Sequence, residues 1–299
     1  MKSQLMQNRR TMIKNTVASA AAIGASSLMP ALSQKLSEEK KTFSTLKGNI
    51  NHSVCSWCYQ GISLEELCRF SKSIGIKGID LCGPKDWDTL KKYGLDSPMC
   101  NGAELGLYDG FNDKKFHAKL IRQYSDMIPL VAKNGYTNLI CFSGARRGIS
   151  DEDGWNNCVE GLKQLLPLAE KHKVVLVMEL LNSKIDHKDY QCDHTAWGVE
   201  LCKRLGSENF KLLYDIYHMQ IDEGDVIRTI TDNHEYIAHY HTGGVPGRNE
   251  IDDTQELYYP AIMKAIAATG FKGYVAQEFV PKNPDKLASL KKAIQICDV

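Results

Sequence analysis

The chain has 299 residues, 43% of them hydrophobic and 24% charged, enough to bury the core of one large domain. The formal charge is +1, but the first 34 residues hold Lys2, Arg9, Arg10 and Lys14 and no acid, which leaves the remainder near −3. A mildly acidic body argues against a nucleic-acid partner held by phosphate neutralisation, and no apolar run is long enough for a spanning helix.

The first element in chain order is a leader. Asn8-Arg-Arg-Thr-Met-Ile-Lys14 precedes a small, apolar stretch from Thr16 to Met29 and then Pro30-Ala31. A basic head, an apolar middle and small residues at the end form the layout of an export signal over 1–34. The Arg9-Arg10 pair resembles a twin-arginine signal, so the expectation is periplasmic export of a folded protein, with a retained cytoplasmic leader as the alternative. Residues 35–47 read as a polar tether.

From residue 48 onward, strands alternate with helices. Asn49–Cys55 is strand-like, followed by a helix from Ser63 to Ile74 with Ser63 as cap and Glu66 three residues on. Lys77–Cys82 is the second strand and Trp87–Tyr93 a short helix. Ser97-Pro-Met-Cys-Asn101 is a weak third strand. Lys114–Asn134 is a long helix, with Phe116, Leu120, Tyr124, Ile128 and Val131 at helical spacing. Thr137–Phe142 is the fourth strand, and Asp153–His172 the next helix. Four apolar runs then follow, at Val174–Glu179, Phe210–Asp215, Ile237–His241 and Tyr274–Glu278, with helices at about 194–205, 222–233, 256–269 and 284–297. Strand–helix alternation implies parallel pairing through right-handed crossovers. Eight such units in about 250 residues predict a (β/α)8 TIM barrel, one domain over 48–299. No Gly-x-Gly-x-x-Gly turn follows the first strand, which removes the main sign of a dinucleotide fold.

Four residues end the last four runs: Glu179, Asp215, His241 and Glu278. In a parallel barrel these ends converge on the mouth that carries the active site. Three carboxylates and one imidazole suit a divalent cation, Mn²⁺ or Mg²⁺ foremost. The ten cysteines do not read as a disulfide framework: Cys68, Cys141, Cys202 and Cys297 sit within apolar-patterned elements, where thiols act as small hydrophobes. Cys55-Ser-Trp-Cys58 has redox spacing but falls at a strand end with no second pair to complete a zinc site.

The chain resembles the hydroxypyruvate isomerase family, within the xylose-isomerase-like barrels. The matching pieces are Trp57, Ser63-Leu-Glu-Glu-Leu, Phe142-Ser-Gly144, Glu179-Leu-Leu-Asn182, Asp215-Ile-Tyr-His-Met-Gln220, Pro246-Gly-Arg-Asn-Glu250 and Tyr274 to Glu278. The resemblance implies a cation on Glu179, Asp215, His241 and Glu278, with His218 and Arg248 touching substrate. It departs at His241, where hydroxypyruvate isomerases often carry Gln and ketose 3-epimerases usually carry His.

The expected activity is therefore a metal-dependent isomerase acting on a small hydroxy-carbonyl compound, of the hydroxypyruvate–tartronate semialdehyde type, through an enediolate. Glu179 and Glu278 are the expected pair for proton removal and return. Asn182 and Lys184 are candidates for the far end of the substrate, and Trp57 and Phe142 for apolar walls. A ketose 3-epimerase is the alternative reading. An apurinic endonuclease would need further His and Asp ligands and a basic surface, and a non-catalytic exported sugar-binding protein would not need both glutamates. The expected partner is a small molecule, and a homo-oligomer is compatible with the sequence.

Overall fold

The computed structural model describes residues 46–299. The export signal and nearly all of the tether read from the sequence lie outside the described residues. Seven parallel strands form one curled sheet: β1 (Asn51–Cys55), β2 (Gly78–Asp80), β3 (Asn138–Cys141), β4 (Val175–Glu179), β5 (Phe210–Asp215), β6 (Ile237–Thr242) and β7 (Tyr274–Gln277), in the order β2-β1-β7-β6-β5-β4-β3. The crossovers carry the helices on the outside of the curl, as a TIM-barrel-like fold requires.

Eight strands were expected, and the described residues contain seven. The segment Ser97–Asn101 makes only single bridges, Gly78 with Asp96, Cys82 with Cys100, and Cys100 with Leu139. It still joins the two sheet edges. The Cys100 N–H donates to the Asn138 carbonyl (3.0 Å), its carbonyl accepts from Ile140 (3.0 Å), and Met99 accepts from Leu81 (2.8 Å). Pro98 supplies no N–H, so a regular ladder cannot run through it. Gly78 is required beside it, because a Cβ there would lie 2.4 Å from Pro98 Cγ.

Two helices also differ from expectation. The stretch expected as one helix over 153–172 is two, Asp151–Leu162 and Leu166–His172. Pro167 in the first turn of the second explains the break, since its ring would clash with the preceding turn of a continuous helix. The helix expected over 222–233 is Ile216–Asp222 followed by Val226–Asn233, parted at Gly224 and Asp225, both of which take positive φ. The cap expected at Ser63 is present, with its Oγ accepting from the Glu66 N–H at 3.2 Å; losing it costs about 1 kcal/mol.

Register and side-chain alternation bring the functional residues together. Asp215 lies opposite His241, and Thr242 opposite Gln277. On β6, His239 and His241 share one face and Tyr240 takes the other, where it packs edge-on against Phe271 at 4.9 Å. All ten cysteines are buried and unpaired, as the hydrophobe reading expected.

Candidate metal centre and substrate pocket

Glu179, Asp215, His241 and Glu278 are all buried and can each turn one ligand atom into a space in which those atoms lie within 4.8 Å of one another. The Nδ1 atom of His241 stands 2.5 Å from Glu278 Oε2 and 3.3 Å from Glu179 Oε1. It makes no hydrogen bond of normal geometry there. Burial opposes protonation of the ring, but the Glu278 carboxylate outweighs it and holds the imidazole well above its ordinary pKa, so a cation would take the place of the Nδ1 proton. Asp215 divides its work: Oδ1 caps the following helix by accepting from Tyr217 (2.9 Å) and His218 (3.4 Å), and Oδ2 faces the centre. Three hard oxygens and one imidazole fit a divalent cation. Two further buried residues stand behind the ligands. Asp80 Oδ2 lies 3.4 Å from Nε2 of His241 and 2.5 Å from Nε2 of His239. A carboxylate behind the far nitrogen holds an imidazole in the tautomer a metal needs.

The two glutamates are electrostatically unlike. Burial raises the Glu179 carboxyl to about 7, and the neighbouring Glu278 adds to the rise. Burial also opposes ionisation of Glu278, but His241 and Arg248 outweigh it and hold that carboxyl well below the usual range. The Trp57 indole N–H donates to Glu278 Oε1 at 2.7 Å and favours the same charged form.

Arg248 reaches the centre from the loop after β6. Its Nη2 lies 2.7 Å from Asp215 Oδ2 and 2.5 Å from Glu278 Oε2. Its backbone is left-handed (φ 56°) after Gly247 (φ 91°), a conformation that costs a non-glycine residue about 1–3 kcal/mol and recurs at ligand clamps. His218 lies beside it, and its proton can be placed. Asn182 Oδ1 accepts from the backbone N–H groups of Ile185 (3.0 Å) and Asp186 (2.9 Å), which fixes the amide. Asn182 Nδ2 then donates to His218 Nδ1 at 2.6 Å. Burial holds His218 well below its ordinary pKa, so the ring is neutral and carries its hydrogen on Nε2. That N–H meets Arg248 Nη1 at 2.5 Å, donor against donor. Asp215 Oδ2 lies 3.7 Å from that Nε2 and 2.7 Å from Arg248 Nη2, and a substrate oxygen entering between the pair would add a closer acceptor.

The residues expected from sequence are placed as follows. Trp57, Phe142, Glu179, His218, Arg248 and Glu278 line one cavity at the barrel mouth, and Asp215 and His241 lie beneath it. Asn182 acts through His218. Lys184 is exposed and turned away, with Nζ donating to the Ile221 carbonyl at 3.0 Å. Sequence reasoning missed Asp80 and His239, although Asp80 ends β2 as the ligands end theirs. It also missed Glu104, Asp186 and His187, which lie on loops without a periodic signal.

The sequence profile of the xylose isomerase-like TIM barrel matches residues 65–297. The chain belongs to that family. Among curated relatives, the 2-oxo-tetronate isomerase of Cupriavidus necator is 32% identical over 124 residues, 42% of this chain and 47% of the relative. The hydroxypyruvate isomerase of Escherichia coli K12 is 30% identical over 135 residues, 45% of this chain and 52% of the relative. The matched stretches thus span about half the length of these relatives. Among solved structures, the 3-keto-D-glucoside 4-epimerase of E. coli superposes with a TM-score of 0.70 at 17% identity, covering 82% of this chain and 98% of the other. The D-psicose 3-epimerase of Clostridium cellulolyticum H10 gives 0.67 at 16%, over 84% and 100%. At such identities the likeness is one of fold.

Proposed function

We propose that this xylose isomerase-like barrel is a divalent-cation-dependent isomerase or epimerase that moves a proton at the carbon next to a carbonyl. The observation that carries the reading is geometric: Glu179 on β4 and Glu278 just past β7 bring ligand atoms within 4.8 Å of one another and of Asp215 and His241, so two carboxyl groups flank one centre. Glu278, ionised and steadied by Trp57, is the base that takes the α-proton. Glu179, the other carboxyl at the centre, is the group that returns a proton at the neighbouring oxygen or carbon, with an enediolate between the two steps. Such positioned proton transfers contribute about 10²–10⁴-fold. Bound at Glu179, Asp215, His241 and Glu278, a divalent cation would supply Lewis acidity to the carbonyl and the adjacent hydroxyl. The His218 and Arg248 donors would close on one substrate oxygen, which relieves their opposition and fixes the reacting carbon between the glutamates.

The relatives named above support an aldose–ketose interconversion of the hydroxypyruvate type. The imidazole at 241 and the resemblance to D-psicose 3-epimerases support the epimerase reading. Turnover of hydroxypyruvate, tartronate semialdehyde and a panel of ketoses, with and without Mn²⁺, separates them. Activity that survives exhaustive chelation would end the metal-dependent reading. The basic leader with Arg9-Arg10 supports export of the folded protein; cell fractionation with an Arg9→Lys, Arg10→Lys variant tests it.

A further inference from the structure

The cavity is wider than the reacting unit of this chemistry needs. It is open to solvent on one side and holds about 520 Å³, within the ~300–1,000 Å³ of pockets that take drug-sized ligands and more than a three-carbon hydroxy acid or a single hexose displaces. Its charges are one-sided. Glu104, Glu179, Asp186 and Glu278 line it, and Arg248 is the one lysine or arginine among the described lining residues. That guanidinium already serves Asp215 and Glu278. Glu104, Glu179, Asp186, Glu278 and the adjoining Asp215 are five carboxylates against one guanidinium, so the site stays negative even with a divalent cation bound, which disfavours a substrate carboxylate.

A further aromatic stands next to the cavity lining. Tyr108, which follows the lining residue Leu107, is 42% exposed, and its ring centroid lies 6.5 Å from that of the lining residue His187. His187 in turn lies 5.1 Å from His218, so a line of rings descends from solvent to the catalytic centre. Trp57, which also lines the cavity, is 44% exposed even though its indole N–H is tied to Glu278. Large apolar side chains left open around a deep polar centre mark a binding surface. Flat rings with a polar edge suit a partner that is apolar on its face and hydroxylated at its rim. A pyranose ring has that chemistry.

We propose that Tyr108, His187 and Trp57 form an outer subsite for a second sugar ring, so that the substrate is a neutral glycoside whose hydroxy-carbonyl unit points inward. This rests on the isomerase or epimerase reading for the inner unit, and it narrows the substrate to uncharged compounds longer than a monosaccharide. The rings of the outer subsite hold the second sugar, and the inner glutamates act on the first.

The test is calorimetric binding to the Mn²⁺-loaded full-length protein of glucose, of hydroxypyruvate, and of a panel of cellobiose, maltose and sucrose. At least one disaccharide is expected to bind ten times more tightly than glucose. Tyr108→Ala, an exposed change outside the catalytic machinery, should erase that ratio and leave glucose binding unchanged, and Tyr108→Phe should keep it. Equal affinity for glucose and all three disaccharides overturns the proposal, as does a disaccharide preference that Tyr108→Ala leaves intact. Hydroxypyruvate binding more tightly than every disaccharide overturns it too. Turnover assays on the same samples keep the two readings apart. Turnover of free ketoses without disaccharide preference sinks the outer subsite alone, whereas disaccharide preference without turnover of any hydroxy-carbonyl compound sinks the inner chemistry alone.

Discussion

Replacing Asp80 by Asn removes one charge and changes one proton, deep beneath the ligands. In the native protein the carboxylate takes hydrogen from Nε2 of both His239 (2.5 Å) and His241 (3.4 Å), and all three side chains are fully buried. Burial alone would raise the Asp80 carboxyl, yet the two imidazoles bring it down to about 2, so it is ionised throughout the working pH range. An ionised acceptor at Nε2 leaves Nδ1 of His241 free of hydrogen once a cation is bound. An amide can turn its NH₂ toward the same nitrogen, which shifts the hydrogen to Nδ1 and closes the lone pair to a metal. Losing an outer partner of a metal-bound histidine typically weakens metal affinity by about 10–100-fold, roughly 1.4–2.8 kcal/mol. The assay is Mn²⁺ titration by calorimetry or by loss of the free-ion paramagnetic resonance signal, on wild type and Asp80→Asn at one pH, with circular dichroism to confirm an intact fold. His239→Gln should weaken binding less, because it leaves the Asp80 carboxylate in place. An Asp80→Asn protein that folds normally and binds Mn²⁺ as tightly as wild type would refute the reasoning.

Glu278→Gln should lower kcat by about 10²–10⁴-fold with a much smaller change in KM, because the amide keeps the size of the side chain and loses the base; steady-state kinetics on the best substrate checks it. For the metal-free protein, the raised carboxyl of Glu179 makes stability fall as pH rises from about 4.5 to about 7, since the folded state must give up a proton it holds more tightly than the unfolded chain. Burial lowers His52 and His218, which works in the opposite direction, so the measurable quantity is the difference between wild type and Glu179→Gln. Urea melts across that window should show wild type losing on the order of 3 kcal/mol relative to the variant, and parallel curves would count against a protonated Glu179. Gly78→Ala should destabilise the fold by about 1–3 kcal/mol, because the new Cβ would overlap the Pro98 ring that joins the sheet edges; a Cα-neutral control such as Gly61→Ala, where a Cβ meets nothing but the φ is positive (+89°), should cost less.

Much of the barrel was legible because its strands are short apolar runs with an abrupt polar end, and a run such as Val175–Glu179 is hard to read otherwise. The same abruptness exposed the four candidate ligands, since each stands at the end of its run. Ser97–Asn101 was legible as a segment but not as a strand, because its pairing is through scattered single bridges that Pro98 imposes. The helix break at Pro167 was visible in the residue itself and was overridden by the strong apolar spacing on both sides. Asp80 and His239 were harder. Each has an ordinary local reading, an acid ending a short strand and a histidine inside one, and their meaning appears only when β2 and β6 face each other across the barrel interior.

That difference follows from where the information resides. Strand ends are encoded locally, so residues that act from them can be found along the chain. Asp80 and His241 are 161 positions apart, and their contact depends on the stagger of the curled sheet. The same holds for the donor opposition of His218 and Arg248. Nothing in Asp215-Ile-Tyr-His218 or Pro246-Gly-Arg248 says which nitrogen carries a hydrogen. It is set by Asn182, on a third loop, whose own amide is fixed by the backbone of Ile185 and Asp186. If Asn182 were replaced by Asp, the group facing His218 Nδ1 would become an acceptor, and the imidazole would turn its lone pair toward Arg248. The opposition that prepares the pair for a substrate oxygen would then become a satisfied hydrogen bond, so Asn182→Asp should raise KM while the four metal ligands remain in place.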